Sequence, residues 1–534
     1  MRLRFRLLLI MIAIAVASSC GQKPQPGTAL NSDPETIVRR GNGGAPGSLD
    51  PALAEDVHAF NILTDIYEGL VAVSADGRIV PAVADSWAVS DDGLTYSFHI
   101  RDGVRWSNGE DLLAEAFVSS FRRLADPATG SAYSFLLDNV RNFSAVQAGD
   151  VGVEQLAIVA IDSQTLQFKL ERPAPYFLSI LTMPVAMPVF TQREYPLVAT
   201  SPDEFVGNGA FVLSAHTPGG EVTLRKNPNY WDEASVQIDE VVHVPIVDPL
   251  AEFNMYRAGQ LDITNTIPPA HVQMASRDLP DQVQIAPSLA LYYLAFDVTE
   301  EPLDNRELRA ALSMAIDRSA IVSVVGRGET PAYGVVPPGV SNYARTDSNR
   351  LNLPDDEREL QARELYSQAG YSADRPLQLK LTYDVGDIHE RIAVAVGSMW
   401  HEVLGVDVSL QKMEWQYFLD TRDNRTEWQV MRFAWTGDYD DASTFTNIFR
   451  SGDLQNLSAY SNPVYDRILS QAEAETEPAR RAELIAKAEQ VLLNDHPIAP
   501  LYYYVSKHLV QPAVTGYEQN ILDRHPSKFL KIQP

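Results

Sequence analysis

The chain has 534 residues, too many for one compact core, so two to four domains are expected. Its composition, 45% hydrophobic and 21% charged with aromatic residues throughout, excludes a long disordered or low-complexity region. A formal charge of -27 excludes non-specific binding to nucleic acid, which needs a basic excess to displace counterions, and disfavours a face that hugs anionic lipid.

The chain opens with "MRLRFRLLLIMIAIAVASSC", in which Arg2, Arg4 and Arg6 precede an apolar run from Leu7 to Ala17 and then small residues. Charge, a short greasy core and small residues make a secretory signal over 1–19, and the run is shorter than the roughly 20 residues a bilayer span needs. Cys20 is the only cysteine, so no internal disulfide forms. Small residues before a lone Cys resemble the lipobox of bacterial lipoproteins, which implies a lipidated Cys20 as the mature N-terminus. "GQKPQPGTALNSDPET" then reads as a flexible tether, assigned to 20–34. Loss of 1–19 removes three arginines and no acid, which takes the formal charge from -27 to -30.

Further along, "LTYSFHI" (94–100) alternates Leu94, Tyr96, Phe98 and Ile100 on one face, the period of a half-buried strand. A turn at Asn108-Gly109 leads into a helix with Leu113, Phe117, Phe121 and Leu124 at helical spacing. Helices are predicted at 307–323, at 355–369 ending on Gly370, and at 388–404 ending on Gly405. In the last, Ile388, Ile392, Val396, Trp400 and Val403 form one stripe. The order over 377–413 is strand, helix, strand, one α/β crossover unit. A charged helical region at about 464–493 gives way to a strand in "APLYYYVSKHLV". Mixed sheets fit this pattern better than an all-α or all-β fold.

Between these elements lies "WTGDYDDASTF" (435–445), which places Asp438, Asp440 and Asp441 after a tryptophan. From residue types alone they read as paired catalytic carboxylates, metal ligands, a counter-ion for a cationic guest, or a solvated turn. Neither a G-x-S-x-G elbow nor an H-E-x-x-H zinc motif occurs. Ten histidines without a close pair give a metal site little support. No cofactor is expected.

Several stretches together resemble the family 5 extracellular solute-binding proteins, and among them the oligopeptide-binding lipoproteins of peptide ABC importers. They are "GSLDPALAEDVHAFNILTDIYEGLV", "VADSWAVSDDGLTYSFHIRDGVRWSNGEDLLAEAFVSSFRRLADP", "FVGNGAFVL" with "VTLRKNPNYWD", "NRELRAALSMAIDRSAI" and "GDIHERIAVAVGSMWHEVLGVDVSLQKMEWQYFLDTR". Their order covers nearly the whole mature chain. The resemblance implies an α/β fold of the type II (cluster C) periplasmic-binding-protein class, a two-lobed clam of three domains with mixed sheets. Carried over, domain I spans 35–67, 193–290 and 508–534, domain II 68–192 and domain III 291–507.

It also implies a site. The aspartate of a matching tryptophan-x-x-aspartate stretch, here Asp438 after Trp435, takes a peptide's α-ammonium. A closing cleft makes this physically reasonable, because an unpaired carboxylate in a drying site favours a guest that brings positive charge. Asp440 and Asp441 have no such counterpart and are expected in solvent or turn roles. Arg422, Arg432 and His389 match positions that receive a peptide's terminal carboxylate, for which the arginine fork is suited, while a histidine supplies a weaker or pH-dependent donor. Backbone at Glu55, Val57 and Ala434 matches strand-like pairing to the ligand, which reads every sequence alike. Tyr133 matches a lining aromatic and Asn456 a polar contact, and Trp435 is expected to line a pocket, with a place in the core as the alternative. The implied partners are an oligopeptide, importer permease subunits with their ATPases, and a membrane reached through the lipid anchor. The protein would work as a non-enzymatic monomer in the periplasm or at the cell surface. The same scaffold carrying a dipeptide, haem, a nickel chelate, an opine or a sugar is the alternative.

Overall fold

A computed structural model of the chain describes residues 36–190, 202, 205–344, 346–425 and 428–533. The signal segment and Cys20 lie outside the described residues. Three sheets organise the rest. The first runs Ile37–Gly41, Glu240–Val244, Val222–Lys226, Phe211–His216 in spatial order, its first pair parallel and the others antiparallel. The second is an antiparallel sheet of Ala84–Val89, Thr95–Ile100, Thr165–Lys169 and Ile158–Ala160.

Alternation decides the second sheet's inner face. Tyr96, Phe98 and Ile100 are buried, and Phe98 and Phe121 both meet Phe168 edge-on at 5.7 and 5.1 Å. Phe121 comes from the helix Ala114–Ala125, whose Phe117, Phe121 and Leu124 cover the sheet. Leu113 departs from the expected stripe. It caps the helix from an extended conformation and is 45% exposed, because the apolar face begins one turn later.

The third sheet has six strands, in the order Thr330–Pro331, Ile498–Leu509, Val283–Phe296, Val430–Thr436, Gln378–Asp384, Asp407–Met413. The last two are parallel and joined by the helix Asp387–Leu404, the crossover read from the sequence. Ile392, Val396 and Trp400 are buried beneath it, Ile388 and Val403 partly so, and Gly405 ends it in the left-handed conformation at φ 74°.

The single helix predicted at 307–323 is instead two, Arg306–Met314 and Arg318–Val325. Asp317 caps the second by accepting from Ala320 N at 3.0 Å, and a cap requires non-helical backbone. Arg318, fully buried, donates to the Ser313 and Ile316 carbonyls that the break exposes, each at 3.1 Å. The charged region likewise resolves into Pro463–Ala474 and Pro478–Asp495, capped by Asn462 and Glu477.

One core runs through the first two sheets, from Val38 and Leu224 to Phe98 and Phe117. Two others occupy the faces of the six-stranded sheet, so that along Val283–Phe296 the residues Tyr292, Leu294 and Phe296 face one and Leu291, Tyr293 and Ala295 the other. The ends of the long strands, with Ile285 and Leu509, pack instead on Val242 and Val244 of the first sheet's strand. The paired strands Val283–Phe296 and Ile498–Leu509 thereby connect the two regions. Among the described residues no helix is long and apolar enough to cross a membrane.

Candidate functional site

The strand Val430–Thr436 pairs along its whole length with Val283–Phe296, from Phe296 opposite Val430 to Ala290 opposite Thr436. On its other side the pairing stops early. Only Val430 and Met431 meet Leu381 and Thr382, after which the two strands part. Residues 432–436 therefore present an open strand edge inside the molecule, with Ala434 at its centre. Unpaired strand edges are templates for another extended backbone.

Beyond Thr436 the chain turns out of the sheet at Gly437, whose N–H donates to the Leu289 carbonyl at 2.7 Å. A β-carbon at Gly437 would stand 2.8 Å from the Thr444 methyl and 2.9 Å from a Leu289 methyl, so any larger residue there would have to displace these buried side chains. The three acids follow, and the structure separates them. Asp440 accepts from the Ser341 N–H at 2.9 Å and from its hydroxyl, and Asp441 holds Arg481 through two bonds of 2.7 and 2.8 Å. Asp441 also accepts from Ser443 N at 2.9 Å, so the expected turn role is present, but neither acid is in solvent. Both are buried, because partners distant in sequence satisfy them.

Asp438 differs. Its N–H reaches Thr444 Oγ1 at 3.4 Å, while among the described residues no donor is paired with its carboxylate. Burial alone raises its pKa above the usual carboxylate value. It lies between two cavities. One, of about 300 Å³, is lined by Val57, Phe60, Tyr133, Met183 and the segment Leu522–His525. The other, of about 540 Å³, is lined by Phe135, Tyr176, Trp435, Tyr439 and Ile448.

Tyr133 faces Asp438 from the part of the chain that carries the second sheet. Burial, then the charges of Asp438 and Glu55, raise its phenol, which places the three groups within electrostatic reach. Its ring stacks on Phe135 at 5.8 Å and meets Phe60 edge-on at 5.8 Å. Glu55 and Val57 flank Asp56, the N-cap of the helix Val57–Ile66, and both are exposed. Among the described residues no hydrogen bond uses the N–H of either, since the first N–H groups of a helix lack internal partners.

At the far end of the open edge the electrostatics reverse. Arg432 is buried and bonded to Asp384, with the Phe418 and Tyr292 rings 5.4 and 5.9 Å from its guanidinium carbon. His389, in the first turn of its helix, stacks on Tyr292 at 5.7 Å and brings Nδ1 within 3.2 Å of the Tyr292 hydroxyl. Burial, then the charge of Arg432, pull His389 down to about 4, so the imidazole is neutral at physiological pH. Arg422, in the last turn of the helix Trp415–Asn424, lies 5.8 Å from the ring of Phe433, which alternates to the other face of the strand from Arg432.

Trp435 packs against the core on that second face and lines the larger cavity, and its buried Nε1 has no hydrogen-bond partner among the described residues. Asn456 is not brought to either cavity. It is 1% exposed and its amide donates to the Arg450 and Tyr460 carbonyls at 2.9 and 2.7 Å, a brace inside its own loop.

Sequence reasoning missed the C-terminal wall. Asp523, Arg524 and His525 line the smaller cavity together with Arg40. The signal was "ILDRHPSKF", an acid-base-imidazole cluster between apolar residues. His508 and His525, far apart in sequence, converge on Asp523 Oδ1 at 2.8 and 3.1 Å. This His-Asp-His group has the spacing of a metal-ligand set, but its members meet one another directly, and His508 Nδ1 lies 2.9 Å from the Thr264 carbonyl. Donation to that carbonyl leaves Nε2 as the contact with a carboxylate, which a doubly protonated imidazole satisfies.

With the geometry in view, comparison with known proteins is informative. Residues 78–456 match the model for bacterial extracellular solute-binding proteins, family 5. The chain is 37% identical over 480 residues to the periplasmic murein peptide-binding protein MppA of Escherichia coli, covering 89% of each chain. It is 34% identical over 507 residues to the periplasmic oligopeptide-binding protein OppA of Salmonella typhimurium, covering 94% of this chain and 93% of the other. In three dimensions it resembles the unliganded open form of MppA with a TM-score of 0.88 at 35% identity, covering 93% of this chain and 97% of that one. The likeness to Haemophilus influenzae OppA in complex with RPPGFSPFR has a TM-score of 0.72 at 31% identity, covering 94% and 99%.

Proposed function

Because the chain belongs to the bacterial extracellular solute-binding proteins of family 5, we propose that it captures oligopeptides in a cleft between its sheets and delivers them to an ABC importer. The observation that carries this reading is an open strand edge ending on a desolvated acid whose carboxylate has no donor among the described residues. The edge offers backbone pairing to any sequence, and the acid asks for an amine. A peptide with its ammonium at Asp438 runs antiparallel to the strand, towards Arg432. Five edge residues at about 3.4 Å each give roughly 17 Å, the reach of a tri- to pentapeptide.

The names of the relatives and the greater likeness to an unliganded open form support a cycle in which the cleft closes on the ligand and then meets the permease. The three sheets support the three-domain division carried over from the family. Lipidation of Cys20, which tethers a monomer to the membrane, belongs to the same proposal, and intact-mass measurement of the mature chain tests it.

Thermal unfolding tests the peptide reading. Free tri- to pentapeptides raise the melting temperature, since ligand at a hundred times Kd adds about 2.7 kcal/mol. N-acetylated peptides of the same sequence give almost no shift. Equal shifts from the two sets would falsify the role of Asp438.

A further inference from the structure

The smaller cavity beside Asp438 contains a second uncompensated charge, of the opposite sign. Arg524 lines it, and among the described residues its guanidinium has no carboxylate within ion-pair distance. Its contacts are the Thr182 hydroxyl at 3.2 Å, the Thr182 carbonyl at 3.5 Å and the Met183 thioether, none of which carries charge. The nearest acid that acts on it is Asp440, already engaged by Ser341. Arg40 lines the same space and is likewise bonded to neutral groups, the His525 carbonyl at 2.7 Å and the Ser527 hydroxyl at 2.8 Å. The one further acid on this wall, Asp523, is held by His508 and His525. A buried cation without an anion is as costly as a buried anion without a cation, and both stand on the wall of one cavity of about 300 Å³.

We propose that this cavity selects ligands whose first residue carries a carboxylate beside its ammonium, the ammonium meeting Asp438 and the carboxylate meeting Arg524. The proposal rests on the peptide reading and adds a first-residue preference to it. A guest with only an amine neutralises Asp438 and leaves Arg524 with no bonded carboxylate, its charge felt only by Asp440, which Ser341 already engages. A guest with both groups compensates the acid and the base together, and the planar guanidinium with unused N–H donors suits a carboxylate. Burial lowers the Arg524 guanidinium to about 10, which leaves it charged at neutral pH.

Two sources supply such a head, an acidic side chain on an α-linked first residue or the free α-carboxylate of a γ-linked glutamyl residue. Isothermal titration calorimetry of the full mature chain with Ala-Ala-Ala, Gln-Ala-Ala, Glu-Ala-Ala and γ-Glu-Ala-Ala separates them. One acid-bearing peptide is expected to bind about tenfold or more tightly than Gln-Ala-Ala, and the tighter arm identifies the linkage. In Arg524→Gln that ratio falls to about one, while Arg524→Lys keeps part of it. If Ala-Ala-Ala and Gln-Ala-Ala bind but neither acidic arm exceeds them, the preference is overturned. A ratio unchanged in Arg524→Gln overturns the assignment to Arg524. Failure of all four peptides overturns the peptide reading beneath it, a different result. Should Arg524→Gln not fold, the wild-type ratio still decides the preference.

Discussion

Arg432 and Asp438 stand at opposite ends of one open strand edge, and the protein treats them in opposite ways. The base is buried against its own acid, Asp384, with aromatic rings around it. The acid is desolvated, and among the described residues no base is bonded to it. On the proposed peptide reading, a ligand ammonium would fill a vacancy, whereas a ligand carboxylate at the other end would share or displace an existing partner. On that reading, strict recognition belongs at the amine end. The carboxylate end, with Arg432, Arg422 and a neutral His389 spread over two faces of the strand, would on the same reading accept several chain lengths.

The largest effect comes from breaking the satisfied end. Asp384→Asn strands a buried guanidinium and should cost roughly 3–5 kcal/mol of stability in urea unfolding. Adding Arg432→Met should recover most of it, because removing both charges removes the desolvation problem as well. A single variant as stable as the wild type would mean that the pair carries no weight.

Asp438→Asn acts on binding instead. It should cost about 2–5 kcal/mol of affinity for free-amine peptides by calorimetry. The same change should slightly stabilise the unliganded protein near neutral pH, since it deletes a buried charge that nothing offsets. A loss in both measurements would show that Asp438 has an internal partner.

Acid titration sharpens the contrast further. Only the ionised carboxylate of Asp438 holds an ammonium, and its pKa is raised, so peptide affinity should begin to fall at a pH above the ordinary aspartate value of 3.8. In the unliganded protein the sign is the reverse. A raised acid favours the folded state when protonated, a contribution present below 3.8 and lost as pH rises through the folded pKa. Asp438→Asn should erase both slopes.

The smallest effect belongs to His389. With its pKa near 4, peptide affinity should stay flat across about pH 5.5 to 8, where an ordinary histidine titrates, and His389→Gln should not change that profile. A step near 6.5 that disappears in the variant would return the imidazole to the role of a pH-sensitive donor.

What the sequence made legible was local. Alternation in "LTYSFHI", the stripe from Ile392 to Trp400 and the left-handed stop at Gly405 depend on neighbours a few residues away, and each appears in the structure where periodicity puts it. Failures arise where distance in sequence collapses in space. Arg318 breaks a helix because its buried guanidinium needs carbonyls from Ala332 and Pro500 as well as from its own turn. Asp441 looked solvated because Arg481 lies on a distant helix. The pairing of Arg432 with Asp384, which decides how the carboxylate end behaves, has no local signature. Neither does the return of the last residues to the cavity wall, where Ser527 caps Asp65 and Lys528 reaches Glu68. The tryptophan-x-x-aspartate spacing drew attention to Asp438, but only the fold reveals that the two acids beside it are already occupied.

Gly437 has a consequence for how dependably the amine end is aimed. The backbone there is fixed by a hydrogen bond from the Gly437 N–H to the Leu289 carbonyl and by methyl groups on either side, none of them ionic. Dissolved salt thus weakens the pull on an arriving guest while leaving the direction of that pull unchanged. An alanine at this one position would do the converse, keeping the charge and spoiling its aim.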